Sequence, residues 1–287
     1  MLPRFFLFLS AIAAQVHADV VRVKGSATMG QALQAAAPAI KEQTGADLRF
    51  ETLGGSTPAL LAAIDGSADL AMVTREIRQE DRAESPKRPL FDLEIGVQIL
   101  VPVVSRETWD AGVKSINKEE FVAMYEGDIT NWNKLGGGDR AVKFYNPEPG
   151  QGVWELFVTW LYGDVRKAPL GKRWEKVGTH QLARDSVEFN LGSISIAPPR
   201  WADGKRVIAL PIRNADGTEL LPTAETFHSH KWPMTRPLLL VTAGKPTGSV
   251  RKVMEVMVQV PGQEALTKVD FIPDPGAATR FAEMLRK

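Results

Sequence analysis

The 287-residue chain contains no cysteine, which removes disulfides, thiol nucleophiles and thiolate metal sites together. Net charge is almost absent too, with 35 Lys and Arg against 34 Asp and Glu. Without a long-range field, neither nucleic acid nor an acidic membrane surface is an expected partner. An anion would have to be held locally, by backbone amides, hydroxyls and helix N-termini. Catalytic signatures are missing as well. There is no Gly-x-Ser-x-Gly elbow and no His-Glu-x-x-His, and neither Asp69 nor Glu148 has a visible acid-base partner. The closely spaced His228 and His230 fall on an expected loop and read as solvated, not as metal ligands. The chain is therefore read as non-enzymatic, with no metal and no cofactor.

No apolar run after residue 18 approaches the roughly twenty residues that a membrane-spanning helix requires. The first eighteen residues have their own logic. Arg4 precedes an apolar stretch over 5–14, and Val16-His17-Ala18 places small residues at the cleavage-determining positions. This predicts a secretory signal peptide cut before Asp19. With no cysteine to carry a lipid, the expected destination of the mature chain is a Gram-negative periplasm, as a soluble monomer. Arg4 leaves with the leader, so the mature chain is formally neutral.

Short apolar strands then alternate with amphipathic helices, the pattern of an α/β fold with a mostly parallel sheet. Strands are expected over 20–23, 48–53 and 69–73. Between the first two, Met29, Leu33, Ala36, Ala37 and Ile40 recur at helical spacing, and Gly45 ends that helix. Ser56 reads as the N-cap of a second helix with Pro58 in its first turn. The run 93–104 reads as a central strand, and Pro102 marks where the chain leaves one lobe for another. Asn117 with Glu120 forms a capping box, Val153, Phe157, Trp160 and Leu161 form a later buried face, and Ser249 is expected to cap a helix that returns to the first lobe. The expected architecture is a two-lobed fold with a cleft between lobes. One lobe comprises 19–101 with 232–287 and the other 102–231.

Three strand ends run into hydroxyl-bearing turns, at Thr28, Ser56 and Thr74. Helix N-termini at the carboxyl ends of sheet strands make a ready anion site, so these hydroxyls are expected to converge on one ligand; each could equally be only a helix cap. The blocks Gly25-Ser26-Ala27-Thr28, Gly54-Gly55-Ser56-Thr57 and Gly66 through Thr74 resemble successive N-terminal blocks of the phosphate-binding proteins of phosphate ABC transporters. Tyr125-Glu126-Gly127-Asp128-Ile129-Thr130-Asn131-Trp132 and Trp232-Pro233-Met234-Thr235-Arg236-Pro237-Leu238 resemble later blocks of the same family.

The resemblance implies a periplasmic-binding-protein-like (type II) fold, a phosphate-like anion as ligand and an ABC transporter permease as partner. It carries Thr28, Ser56 and Thr74 over as ligand residues, with Ser26, Thr57 and Arg75 as secondary candidates. Two departures stand out. Thr74 replaces the aspartate that accepts the proton of hydrogen phosphate, and Thr74-Arg75 matches a variant of the block. In the second lobe Gly150-Gln151-Gly152 stands where the family has an arginine followed by Ser-Gly-Thr, leaving neutral donors only. Arg75, Arg78 and Arg200 are candidates to restore the charge, Arg236 reads as positioning the crossover, and Trp154 reads as packing near the altered turn. The alternative reading is a member that keeps the fold and serves as a periplasmic partner-binding or sensory module.

Overall fold

The computed structural model describes residues 19–52, 54–169 and 174–287; the leader expected over 1–18 lies outside them. The strand Val20–Gly25 leads into the helix Ala27–Thr44, whose Met29, Leu33, Ala36 and Ile40 are buried as their spacing requires. Gly45 closes that helix in the left-handed region at φ 74°, donating its N–H to Lys41 C=O. Two parallel crossovers follow, placing Asp47–Glu51 and Leu70–Val73 on either side of Val20–Gly25.

The first sheet runs in the order Ile272–Pro273, Leu90–Ile99, Thr235–Ala243, Leu70–Val73, Val20–Gly25, Asp47–Glu51. Its remaining pairings are antiparallel, so the sheet is mixed and not mostly parallel. The cause is the return strand Thr235–Ala243, which comes back from the other lobe and enters between two strands already laid down. The helices Gly248–Val258 and Val260–Lys268 cover this sheet beside the Ala27 helix. Thr247, not Ser249, precedes the first of these, and the Ser249 hydroxyl bonds Asp19 instead at 2.6 Å.

The expected strand over 93–104 is two strands in two sheets. Leu90–Ile99 belongs to the first and Val101–Ser105 to the second, and the chain crosses at Leu100, two residues before Pro102. Leu100 is fully buried and bonded on both sides to the returning chain: its N–H donates to Met234 C=O at 3.0 Å, and its C=O accepts from Trp232 Nε1 at 2.6 Å. The two crossovers are thereby pinned to each other.

The second sheet has the order Trp174–Val177, Lys143–Pro147, Ser193–Ala197, Val101–Ser105, Val207–Ala209. The expected capping box is present: Asn117 Oδ1 accepts from Glu120 N–H, and Glu120 Oε2 from Asn117 N–H. Aromatic rings dominate the core here, with Phe121 and Phe157 edge to face at 5.1 Å and Tyr125 and Phe144 packed around them. Such rings add about 0.5–1.5 kcal/mol per pair beyond the area they bury. Trp154 is part of this core, donating from Nε1 to Tyr125 Oη at 3.2 Å. The first-lobe core is aliphatic by comparison, built on Met29, Leu33, Ile40, Leu70, Met72 and Leu93.

Candidate functional site

A cleft of about 620 Å³ lies between the two sheets. Three helices begin on its walls. The Ala27 helix brings Ala27 and Thr28, the helix Gly152–Tyr162 brings Gly152 and Val153, and the helix His180–Phe189 brings His180 and Gln181. The first amides of a helix have no partner within it, and the helix dipole adds partial positive charge at that end. The first bond inside the Gly152 helix runs from Glu155 N–H to Gln151 C=O, and no side chain caps the turn before it. Gly150, left-handed at φ 87°, makes the turn that lets this helix start at the cleft.

Arg236 joins the walls. Its Nη2 donates to Thr28 Oγ1 at 3.0 Å and to Gly152 C=O at 3.2 Å, while Nε donates to Gln98 Oε1 at 2.6 Å. Among the described residues no carboxylate forms an ion pair with it. Burial pulls its pKa down to about 10, with Glu155 the acidic group that offsets this, so the guanidinium stays charged at neutral pH. Gln98 is only 3% exposed and still lines the cleft. Arg236 holds its oxygen, which turns the Nε2 amide donors outward; these have no partner among the described residues. Gly152 is required by closeness: a Cβ there would lie 2.3 Å from Thr28 Oγ1 and 2.7 Å from Arg236 Nη2.

Of the three hydroxyls expected to converge, Thr28 lines the cleft, and Ser56 and Thr74 meet one another beside Ser26, the residue before the Ala27 helix: Ser56 Oγ accepts from Thr74 N–H at 3.1 Å, and Thr74 Oγ1 lies 3.4 Å from Ser26 Oγ. Ser56 is thus not a helix cap, and Gly55 occupies the cap position of the helix Ser56–Asp65. Thr57 and Arg75 are tied to one another, because Arg75 pairs with Asp81 at 2.6 Å and also donates to Thr57 Oγ1 at 3.1 Å. Gln151 borders the cleft but directs its amide to Gly178 C=O at 3.4 Å.

Asp270 sits across the cleft from the second lobe, in left-handed backbone at φ 68°. His180 Nδ1 approaches Asp270 Oδ2 at 2.6 Å, and Arg200 Nε pairs with Oδ1. Arg200, a candidate replacement for the missing charge, is therefore already neutralised. Burial and the Arg200 guanidinium pull His180 down to about 4; Asp270 favours the protonated ring, but its charge is compensated by Arg200. His228 bonds the carbonyls of Ala224 and Pro273, and His230 lies 3.3 Å from Glu94.

Gln98 and Arg236 were missed as site residues. Gln98 carries a signal: a glutamine in the apolar end of the strand Leu90–Ile99, between Val97 and Ile99, must find polar partners once buried. Arg236 carries none, since its contacts lie 84 to 208 residues away in the chain.

The fold recurs among solved structures, and the sequence has curated relatives. The phosphate-binding protein PstS of Bacillus subtilis (strain 168) is 24% identical over 266 residues, 92% of this chain and 84% of that protein. The crystal structure of a possible phosphate binding protein from Planctomyces limnophilus superposes with a TM-score of 0.81 at 15% identity, covering 94% of this chain and 98% of that one. An ABC-type phosphate transport receptor from Vibrio cholerae gives 0.69 at 18% identity, covering 88% and 100%. A family profile described as the PBP superfamily domain matches residues 13–259, most of both sheets and the cleft they enclose, and the chain belongs to that superfamily.

Proposed function

We propose that this chain is a solute-binding protein that holds a tetrahedral oxyanion, phosphate or a close relative, in the cleft and delivers it to an ABC transporter permease. The observation that carries the reading is Arg236: a charged, part-buried guanidinium with no paired carboxylate among the described residues, placed where the Ala27 and Gly152 helices begin. A buried charge without a counterion is costly, and an anion seated there would supply one. Helix amides, Thr28 Oγ1 and the Gln98 Nε2 donors would complete its hydrogen bonds. The relatives named for phosphate binding support the same ligand class.

In this reading residues 19–101 and 232–287 form one lobe and 102–231 the other, and the processed protein works as a periplasmic monomer after cleavage before Asp19. No helix among the described residues is long and apolar enough to cross a membrane. Thr28 and Gly152, with the first amides of the helix that begins at Gly152, form the primary contacts; Gly150 and Gln151 shape the turn before it, where Gln151 N–H is bonded to Glu148 C=O. Ser26, Ser56 and Thr74 shape the neighbouring turn, and Thr57 with Arg75 braces it. Calorimetric titration of the processed protein with phosphate should give saturable binding at one site. Failure to bind phosphate, sulfate or any phosphate ester would overturn the reading in favour of a partner-binding role.

A further inference from the structure

The cleft is too large for the ion alone. A tetrahedral oxyanion takes up roughly two or three times the ~30 Å³ share of a water molecule, whereas the cleft, open to solvent at its mouth, offers about 620 Å³. That value falls among sites for small organic molecules, roughly 300–1,000 Å³. The space is not a product of separated lobes. Arg236 already reaches Gly152 at 3.2 Å, and His180 and Arg200 already meet Asp270.

The walls beyond Arg236 mix neutral polar groups with apolar ones, Val269 and Phe271 among the latter. Gln31 lies one helical turn after Thr28 on the same face, and Gln181 lies in the first turn of the His180 helix. Neither side-chain amide has a partner among the described residues, and both residues are exposed. The part-buried indole of Trp201, one face of which carries the Arg200 guanidinium at 5.2 Å from the ring centre, adds a flat surface at the same wall. An amide offers donor and acceptor together, which matches a hydroxyl, and an indole face covers C–H groups. A cationic body would find no free carboxylate, because Asp270 is held by His180 and Arg200.

Building on the oxyanion reading above, we infer that the ligand is an organic phosphate monoester with a neutral, hydroxylated body. The phosphoryl group would sit at Arg236, Thr28 and Gly152, guided by the buried Gln98 amide aimed into the cleft. Its hydroxyls would reach Gln31 and Gln181, with Trp201 against its carbon face.

The test is parallel calorimetry with glucose 6-phosphate, sn-glycerol 3-phosphate, inorganic phosphate and free glucose. At least one ester should bind ten times or more tighter than inorganic phosphate, and glucose alone should not bind. Gln31→Ala and Gln181→Ala, at exposed positions that leave the fold intact, should each weaken the ester several-fold and leave inorganic phosphate unchanged. Inorganic phosphate binding as tightly as both esters would overturn this inference while leaving the oxyanion reading in place. Binding of neither phosphate nor ester would overturn both.

Discussion

The two lobes contribute to the cleft in different currencies. The first lobe provides side chains: the Arg236 guanidinium, the Gln98 amide and the Thr28 hydroxyl. The second provides mostly backbone, the Gly152 carbonyl and the first amides of the helix Gly152–Tyr162, which have no partner within it. In the proposed reading, charge recognition therefore rests on one side and shape on the other. There Arg236, reaching over from the first sheet, would carry the recognising charge, whereas Arg75 and Arg200 are both spent on aspartates.

The sharpest way to break this contrast is to remove the charge. Arg236→Gln should weaken oxyanion binding by about a hundredfold, since charge-assisted hydrogen bonds contribute roughly 1.5–3 kcal/mol each. Arg236→Lys, keeping the charge without the fork, should recover only part of it. Titration calorimetry of both variants against phosphate decides whether the first lobe holds the recognising charge.

Next comes the shape side. Gly152→Ala suits the start of a helix and meets no backbone strain, since Gly152 is not in the left-handed region. Its Cβ would still collide with Thr28 Oγ1 and Arg236 Nη2. Binding should fall about tenfold while the melting temperature holds or rises, a separation that calorimetry and thermal denaturation together would show. Loss of both would mean that Gly152 serves the fold and not the closure.

Selectivity should be modest. Thr74 has no carboxylate to accept a proton, and the Arg236, Thr28 and Gln98 donors serve any tetrahedral anion. Phosphate should be preferred over sulfate by less than about tenfold in competition titrations, on the premise that a single hydrogen-bond difference is worth about 1 kcal/mol. Strong exclusion of sulfate would point to an acceptor beyond these residues.

The smallest expected effect is on pH. His180 is held well below its ordinary value, to about 4, so the folded state disfavours the protonated ring. Its contribution to stability is complete above about 6.5, the unfolded value. It is lost progressively as pH falls from there through 4. Urea unfolding across that window should show the decline, and His180→Gln should flatten it.

Much of the fold was legible because local rules and burial agreed. The helical spacing from Met29 to Ile40, the Gly45 terminus and the Asn117–Glu120 box each depend on neighbours within one or two turns. Less of the site was legible. Ser56 and Thr74 resemble caps in sequence, yet their polar groups pair across 18 residues. The division of labour between lobes depends on Arg236 meeting Thr28 and Gly152 across the cleft, a contact no window of sequence contains. The break at Leu100 was hidden for a related reason: apolar residues run through it without pause, and only its bonds to Trp232 and Met234 show that the chain changes sheets there.

That pin at Leu100 limits how the molecule can move. Both connections pass through one buried point, so the lobes are held there like the two arms of a pair of tongs. Swinging them apart requires dihedral changes at a few residues and no repacking of either sheet. A small angle at the pin becomes a wide displacement at the mouth, where Asp270 meets His180 and Arg200. Opening is therefore resisted by the contacts at the rim and not by the cores, and changes to the aromatic or aliphatic interior can alter how stable each arm is without altering how readily the tongs release what they hold.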